Sequence, residues 1–175
     1  RQMCIRDRHY TLNYDRNEGI KAWADAGHNT CKKSGKSQTG CVMFYAGAPI
    51  VWRSFKQTCV ANSTGEAEYM ALSPLCRETT FIKQLFGEIG VKVKTPVLAF
   101  DDSEPAIAIA SNIGFSNKSR SMRTSLFHNV RDCVERKDIK LVKTPGTNNV
   151  ADVFTKPLNK ISHGRYCNSM FGKSK

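Results

Sequence analysis

The chain has 175 residues, enough for one ordinary domain with a real core and too few for two comfortable ones. Its hydrophobic content of 40% is that of a globular chain, and no apolar run reaches the roughly 18 residues that a membrane span needs. The net charge of +12, from 27 Lys and Arg against 15 Asp and Glu, points to a polyanionic partner. Nucleic acid is favoured over a lipid surface, because no basic amphipathic helix carries a Trp/Phe/Leu face.

The N-terminus, RQMCIRDRHY, has no signal-peptide core. "IKAWADA" (20–26) reads as a short strand that runs into the polar stretch "GHNTCKKSGKSQT". "GCVMFYAG" (40–47) is a second strand, and Ala46-Gly47-Ala48 turns tightly into a third, "PIVWRSFKQ" (49–57). Short connections make these three an antiparallel meander. A helix follows over about 64–88 and stops at Gly90. "PVLAF" (96–100) is a strand closed by Asp101 and Asp102, and "SEPAIAIASN" is a helix with Ser103 as N-cap and Pro105 in its first turn. A polar basic loop (113–120) leads to a helix at about 122–136, a strand "DIKLVKT" (138–144) and a turn at Pro145-Gly146-Thr147. "NNVADVFTK" opens another helix that Pro157 interrupts, and the last fifteen residues form a short helix or a frayed tail. A meander followed by alternating helix and strand implies an α/β domain, with a mixed sheet of about five strands and helices on its faces.

Seven cysteines form an odd set with no C-x-x-C pair. They read as small core residues in a reducing, intracellular compartment, not as a disulfide frame or a zinc site. The basic residues are grouped as Lys32, Lys33 and Lys36, then Lys118, Arg120 and Arg123, then Arg131, Arg136 and Lys137. Any one group can be a solvated face; the global excess is the firmer signal of a phosphate-backbone binder.

Within "NSTGEAEYMAL" (62–72) two glutamates stand two positions apart, about 200° around a helix, so they cannot serve one site. Glu68 heads the apolar stripe Leu72, Leu75, Thr79, Ile82 and Phe86, flanked by Ala71 and Leu85. Glu66 lies on the opposite side and completes the capping box Ser63-Thr64-Gly65-Glu66. Glu66 is therefore read as structural. Glu68 is a carboxylate at the head of a buried stripe, costly unless something positive meets it.

Other acids also fall near element ends: Asp25 at the end of the first strand, Asp101 and Asp102 after the fourth, Asp152 in the first turn after the fifth. Acids at such positions can converge over one edge of a sheet, and divalent cations relieve their repulsion. Two Mg²⁺ ions about 4 Å apart on carboxylate oxygens make a phosphodiester-cleaving site. Taken singly, Asp102 or Asp152 could equally be a helix cap favoured by the dipole.

"STGEAEYMAL", "FDDSEPAIAIASN" and "NNVADVFTKPL" resemble the ribonuclease H domain that closes the Pol polyprotein of copia-type LTR retrotransposons, with matching order over about residues 10–160. The resemblance implies a ribonuclease H-like α/β fold, with a mixed five-stranded sheet and helices on both faces. It implies hydrolysis of the RNA strand of RNA/DNA hybrids by two Mg²⁺ ions, with Mn²⁺ as a substitute, during reverse transcription. It assigns Asp25, Glu68, Asp102 and Asp152 as catalytic, metal-binding carboxylates, Asp102 in preference to Asp101. Lys32, Lys33, Lys36, Arg120 and Arg123 are the expected nucleic-acid contacts, the last two standing where the family carries a basic R-T-K-H-I-like motif. His128 matches the family's helical histidine and is read as a packing or capping residue. A reverse transcriptase domain upstream in the parent polyprotein is the expected partner, and a cytoplasmic retrotransposon particle, with the nucleus as a second compartment, the expected location. Residues 1–8 match nothing in the family and are read as a leader, 9–160 as the domain, and 161–175 as a C-terminal helix or tail. A catalytically decayed fragment that only binds nucleic acid is the alternative reading. An integrase-like transferase would need a zinc-binding region that the cysteine and histidine spacing does not supply.

Overall fold

A computed structural model of the chain describes residue 12, residues 18–111 and residues 124–171. The 1–8 leader, Lys118, Arg120 and Arg123 lie outside the described residues. The elements are strands β1 (Lys21–Gly27), β2 (Gln38–Tyr45) and β3 (Ala48–Lys56), helix α1 (Thr64–Glu88), strand β4 (Val97–Asp101), helices α2 (Glu104–Ser111) and α3 (Thr124–Glu135), and strand β5 (Ile139–Lys143). Two short 3₁₀ segments, Gly146–Asn148 and Val150–Phe154, and helix α4 (Lys160–Phe171) complete the chain.

The five strands form one sheet in the order β3-β2-β1-β4-β5. β1 pairs antiparallel with β2, and β2 with β3, whereas β1–β4 and β4–β5 are parallel. The β2–β3 hairpin is tight because Ala46 and Gly47 both take positive φ, 53° and 82°. That pair of left-handed residues matches the strand twist, and it sets Tyr45 opposite Ala48.

The period-two pattern of the strands splits the core in two. Ala22, Ala24 and Ala26 of β1, with Cys41, Met43, Val97 and Ala99, pack against Tyr69, Leu72 and Leu75 of α1, Ala106 of α2, and Val130 of α3. Alanine along β1 lets α1 lie close to the central strand. Truncating a fully buried leucine such as Leu72 would cost ~2–5 kcal/mol. On the other face, Val42 and Phe44 meet Val150, Ala151, Tyr166 and Met170, with Trp23 stacked on Phe100. The segment read as a helix or a frayed tail is a helix, α4, and its Tyr166 and Met170 close this second face.

Three local expectations change. "NNVADVFTK" forms 3₁₀ turns instead of an α-helix, because the segment is pressed against the sheet at Gly40. A Cβ on Gly40 would meet Thr155 Cγ2 at 2.7 Å, the Ala151 carbonyl oxygen at 2.8 Å and Phe154 Cβ at 2.9 Å. Asp25 sits two residues inside β1, directly opposite Gly40 in the β1–β2 register. Finally, Glu66 is buried, as is every residue from it to Cys76, although Thr64 ahead of it is exposed. Its carboxylate does not reach the Ser63 N–H of a standard capping box. Oε2 instead accepts from the Asn62 backbone N–H at 2.8 Å and the Asn62 side chain at 2.9 Å, while Ser63 Oγ accepts from Glu66 N–H at 3.1 Å.

Candidate metal centre

The stripe of α1 runs as the sequence implies: Glu68, Leu72, Leu75, Thr79 and Ile82 are buried, whereas Leu85 at its far end is exposed. Glu68 is thereby carried to the sheet edge beside β1, where its carboxylate accepts the Ala26 backbone N–H. The parallel register that sets Trp23 beside Phe100 brings Asp102, one residue past β4, toward Asp25. One carboxylate oxygen from each of Asp25, Glu68 and Asp102 lies within 4.8 Å of the others. Asp102 has a further constraint behind it: a Cβ on Gly146 would stand 2.9 Å from its Oδ2.

Asp152, the fourth acid named from sequence, lies outside that group. Lys156 Nζ stands 2.8 Å from its Oδ1, and the Tyr166 hydroxyl donates toward its Oδ2 at 3.3 Å. It remains wired to the group through Thr155, whose hydroxyl contacts both Asp25 Oδ2 and, at 3.1 Å, the Asp152 carbonyl oxygen. Asn149 fixes the same turn: its side-chain amide donates to the Ala24 carbonyl at 2.7 Å, and its Oδ1 accepts from Ala151 N–H.

The electrostatics are those of negative charge gathered with too little compensation. Burial lifts Glu68 from 4.5 to about 10, and the fields of Asp25, Asp101 and Asp102 add to the lift. Burial also carries Asp25 to about 6, against the Thr155 hydrogen bond that lowers it and with the field of Asp152 that raises it. Asp101 is fully buried beside the group, its Oδ1 accepting from Ser103 N–H at 2.7 Å. Burial raises it to about 7, with the Ser103 bond opposing and the fields of Asp102 and Asp25 adding. Glu68 Oε2 and Asp101 Oδ2 are buried without a hydrogen-bond donor. Lys156 is partly buried, which disfavours its charge, yet the Asp152 bond and the fields of Asp25, Asp152 and Asp102 hold its pKa above the ordinary lysine value.

Hard carboxylate oxygens, clustered, buried and undersupplied with donors, fit a divalent cation such as Mg²⁺ or Mn²⁺. Asp25, Glu68 and Asp102 would hold it.

An open groove of about 400 Å³ adjoins this edge, lined by Thr30, Gln38, Lys56, Thr155 and Lys156 among others. Lys32, Lys33 and Lys36 stand in the β1–β2 connection, with Lys32 and Lys33 exposed and Lys36 half-buried. Lys56 Nζ meets Cys31 Sγ at 3.1 Å, and hydrogen bonds from Ser34 and Lys56 push that thiol down to about 6. Lys56 and Lys156 were not named as site residues from sequence, although Lys156 stands within "NNVADVFTKPL". Thr155, Asn149 and Tyr166 were missed as well; Thr155 stands within the same stretch, and Asn149, an Asx residue ahead of a helical turn, carried a local signal. His128 is exposed on α3.

The five-stranded mixed sheet, the helices on both faces and the acids at one edge define a ribonuclease H-like fold. The LC11-RNase H1 solved in complex with an RNA/DNA hybrid superposes with a TM-score of 0.52, at 17% identity over 78% of this chain and 93% of that one. The foamy viral protease-reverse transcriptase, also solved with an RNA/DNA hybrid, matches with a TM-score of 0.55 at 18% identity, over 78% of this chain and 19% of that one. By sequence, the chain is a homologue of plant retrotransposon Pol polyproteins, in keeping with their C-terminal ribonuclease H domain. It is 32% identical over 144 residues to the retrovirus-related Pol polyprotein from transposon TNT 1-94 of Nicotiana tabacum, a match covering 81% of this chain and 11% of that protein. The chain spans about a tenth of the length of the curated relatives it matches. It matches no protein-family model.

Proposed function

We propose that this domain is a metal-dependent endonuclease that hydrolyses the RNA strand of an RNA/DNA hybrid, acting during reverse transcription beside a polymerase domain of the same polyprotein. The observation that carries this reading is the convergence of Asp25, Glu68 and Asp102 within 4.8 Å, the first two buried and Asp102 half-buried. Bound divalent ions, two in the full reading, supply Lewis acidity and a reactive nucleophile at neutral pH.

The protein's own share is positional. Asp25 is oriented by Thr155, Glu68 by the Ala26 N–H, and Asp102 by its place just past β4 against Gly146. Burial keeps Asp25 and Glu68 poorly solvated, so these carboxylates have little hydration to lose when a cation arrives. Lys56 and Lys156 line the adjoining groove, and Lys32, Lys33 and Lys36 in the β1–β2 connection are proposed to add to a positive wall along which a phosphate backbone can lie; contacts of that kind position a substrate without reading its sequence. Arg120 and Arg123 are proposed to extend that wall. Hybrid would be told from DNA duplex by 2′-hydroxyl contacts. The intact acid set is the reason we prefer this reading to a decayed, binding-only fragment. No helix among the described residues is long and apolar enough to cross a membrane. From the likeness to retrotransposon Pol polyproteins we separately propose that the activity lies in the cytoplasm, within a retrotransposon particle.

The test is digestion of a labelled hybrid with Mg²⁺ or Mn²⁺, with and without chelator. Cleavage confined to the RNA strand of the hybrid and lost in chelator is expected. Equal cleavage of free single-stranded RNA, or undiminished cleavage in chelator, refutes it.

A further inference from the structure

Asp152 lies outside the group formed by the other three acids, with an ion pair at one oxygen and a shared tyrosine hydroxyl near the other. Lys156 takes Oδ1 at 2.8 Å. The Tyr166 hydroxyl takes Oδ2 at 3.3 Å, and it also lies 3.2 Å and 3.3 Å from the carbonyl oxygens of Gly146 and Thr147. The Asp152 backbone has no such freedom to move, because Asn149 and Thr155 fasten its turn to β1. Only the side chain can change partners.

We propose that Lys156 is the internal counter-ion of the acid cluster, and that it holds Asp152 out of a second metal position until a cation displaces it. The inference rests on the metal-binding reading given above. Three observations carry it. Lys156 follows Asp152 by four residues, just past the 3₁₀ segment, so its ammonium can leave by rotating its own side chain, with no backbone change. Its side chain is 47% exposed, so the displaced ammonium returns to water at little cost, whereas Asp152, 10% exposed, would stay buried and unpaired unless a cation took over. Lys156 also lines the groove with Lys56, so a displaced ammonium remains where a phosphate backbone would run. A lysine suits this exchange better than an arginine, whose rigid bidentate fork would hold the carboxylate more firmly. The ion pair therefore sets an order: the Asp25–Glu68–Asp102 position fills first, and the position needing Asp152 fills only at higher cation concentration.

Mn²⁺ titration of the full chain, followed by electron paramagnetic resonance, tests this in wild type, Lys156→Met, Lys156→Arg and Glu68→Gln. Circular dichroism confirms that each variant is folded. Wild type should bind one ion tightly and a second weakly. Lys156→Met should tighten the second ion by about five- to tenfold, the competition that a half-buried ion pair supplies, and leave the first unchanged. Lys156→Arg should keep the second ion weak. An unchanged or weaker second ion in Lys156→Met overturns the inference and leaves the proposed function standing. If no variant, wild type included, binds Mn²⁺, or if Glu68→Gln binds it as wild type does, the metal-binding reading itself falls and takes the inference with it.

Discussion

Replacing Glu68 by Gln should stabilise the metal-free protein while removing its response to metal. The folded protein holds a proton on Glu68 up to about pH 10, whereas an unfolded chain releases it near 4.5. A carboxyl whose folded pKa is raised contributes its stability in full below 4.5, and that stability drains away as pH climbs toward 10. By pH 7 the loss assignable to Glu68 is on the order of 3 kcal/mol. Asp25 and Asp101, raised to about 6 and about 7, share part of the same repulsion, so glutamine should recover only ~1–3 kcal/mol. For a chain of this size that is a rise of ~2–10 °C in melting temperature. The assay is thermal unfolding of wild type and Glu68→Gln in chelator at pH 5 and pH 8, repeated with Mg²⁺. The variant should melt higher than wild type at pH 8, with a smaller gap at pH 5. Mg²⁺ should stabilise wild type and leave the variant nearly unmoved, and hybrid cleavage by the variant should vanish. A variant that melts lower than wild type at pH 8 in chelator, or that gains as much from Mg²⁺, would show that Glu68 is neither strained nor a ligand.

Glu66→Ala strips two acceptor contacts from the Asn62 backbone and side chain and should cost ~1–3 kcal/mol, measured by denaturant unfolding, with cleavage retained by the folded fraction. Gly146→Ala would place a methyl 2.9 Å from Asp102 Oδ2; the carboxylate can swing aside, so the fold should persist while Mn²⁺ affinity falls several-fold by calorimetry. Hybrid binding, read by fluorescence anisotropy in Ca²⁺, should weaken with salt at a log–log slope of about −4 to −7, and joint replacement of Lys32, Lys33 and Lys36 by alanine should flatten it by ~2–3 for hybrids of any sequence. A wild-type slope near zero would mean that these lysines are only a solvated surface.

The sheet and α1 were legible because their signals are local and repetitive: alternation in β1–β3, and a stripe at steps of three and four from Glu68 to Ile82. The same stripe picked Glu68 over Glu66, and the structure brings Glu68 to Asp25 and Asp102. Glu66 was read correctly as a cap, but its partner is Asn62 and not the Ser63 N–H, and its burial had no signal, since periodicity along a helix says nothing of the segment before it. The 3₁₀ geometry at Val150–Phe154 was hidden because it answers to a tertiary demand, contact with β2, whereas propensity alone favours an α-helix there. The Lys156–Asp152 pair has an i,i+4 spacing that a closer look at charge patterning could have found. Tyr166 had no such signal, lying beyond Pro157 on a helix whose docking the sequence does not announce. Asp101 illustrates the opposite case: strand alternation through Val97 and Ala99 points it into the core, a position the preference for Asp102 left without a role.

Gly40 contributes no functional group, yet the turn carrying Asp152 rests on the bare backbone it leaves. The domain is therefore vulnerable at a place where no acid stands. In a mobile element drifting free of selection, a single base change in that glycine codon would put a side chain under the turn, lift Thr155 from Asp25 and carry Asp152 outward, while all four carboxylates still read as intact. Judging whether such a copy is alive requires inspecting the surface on which its acids are seated as closely as the acids themselves.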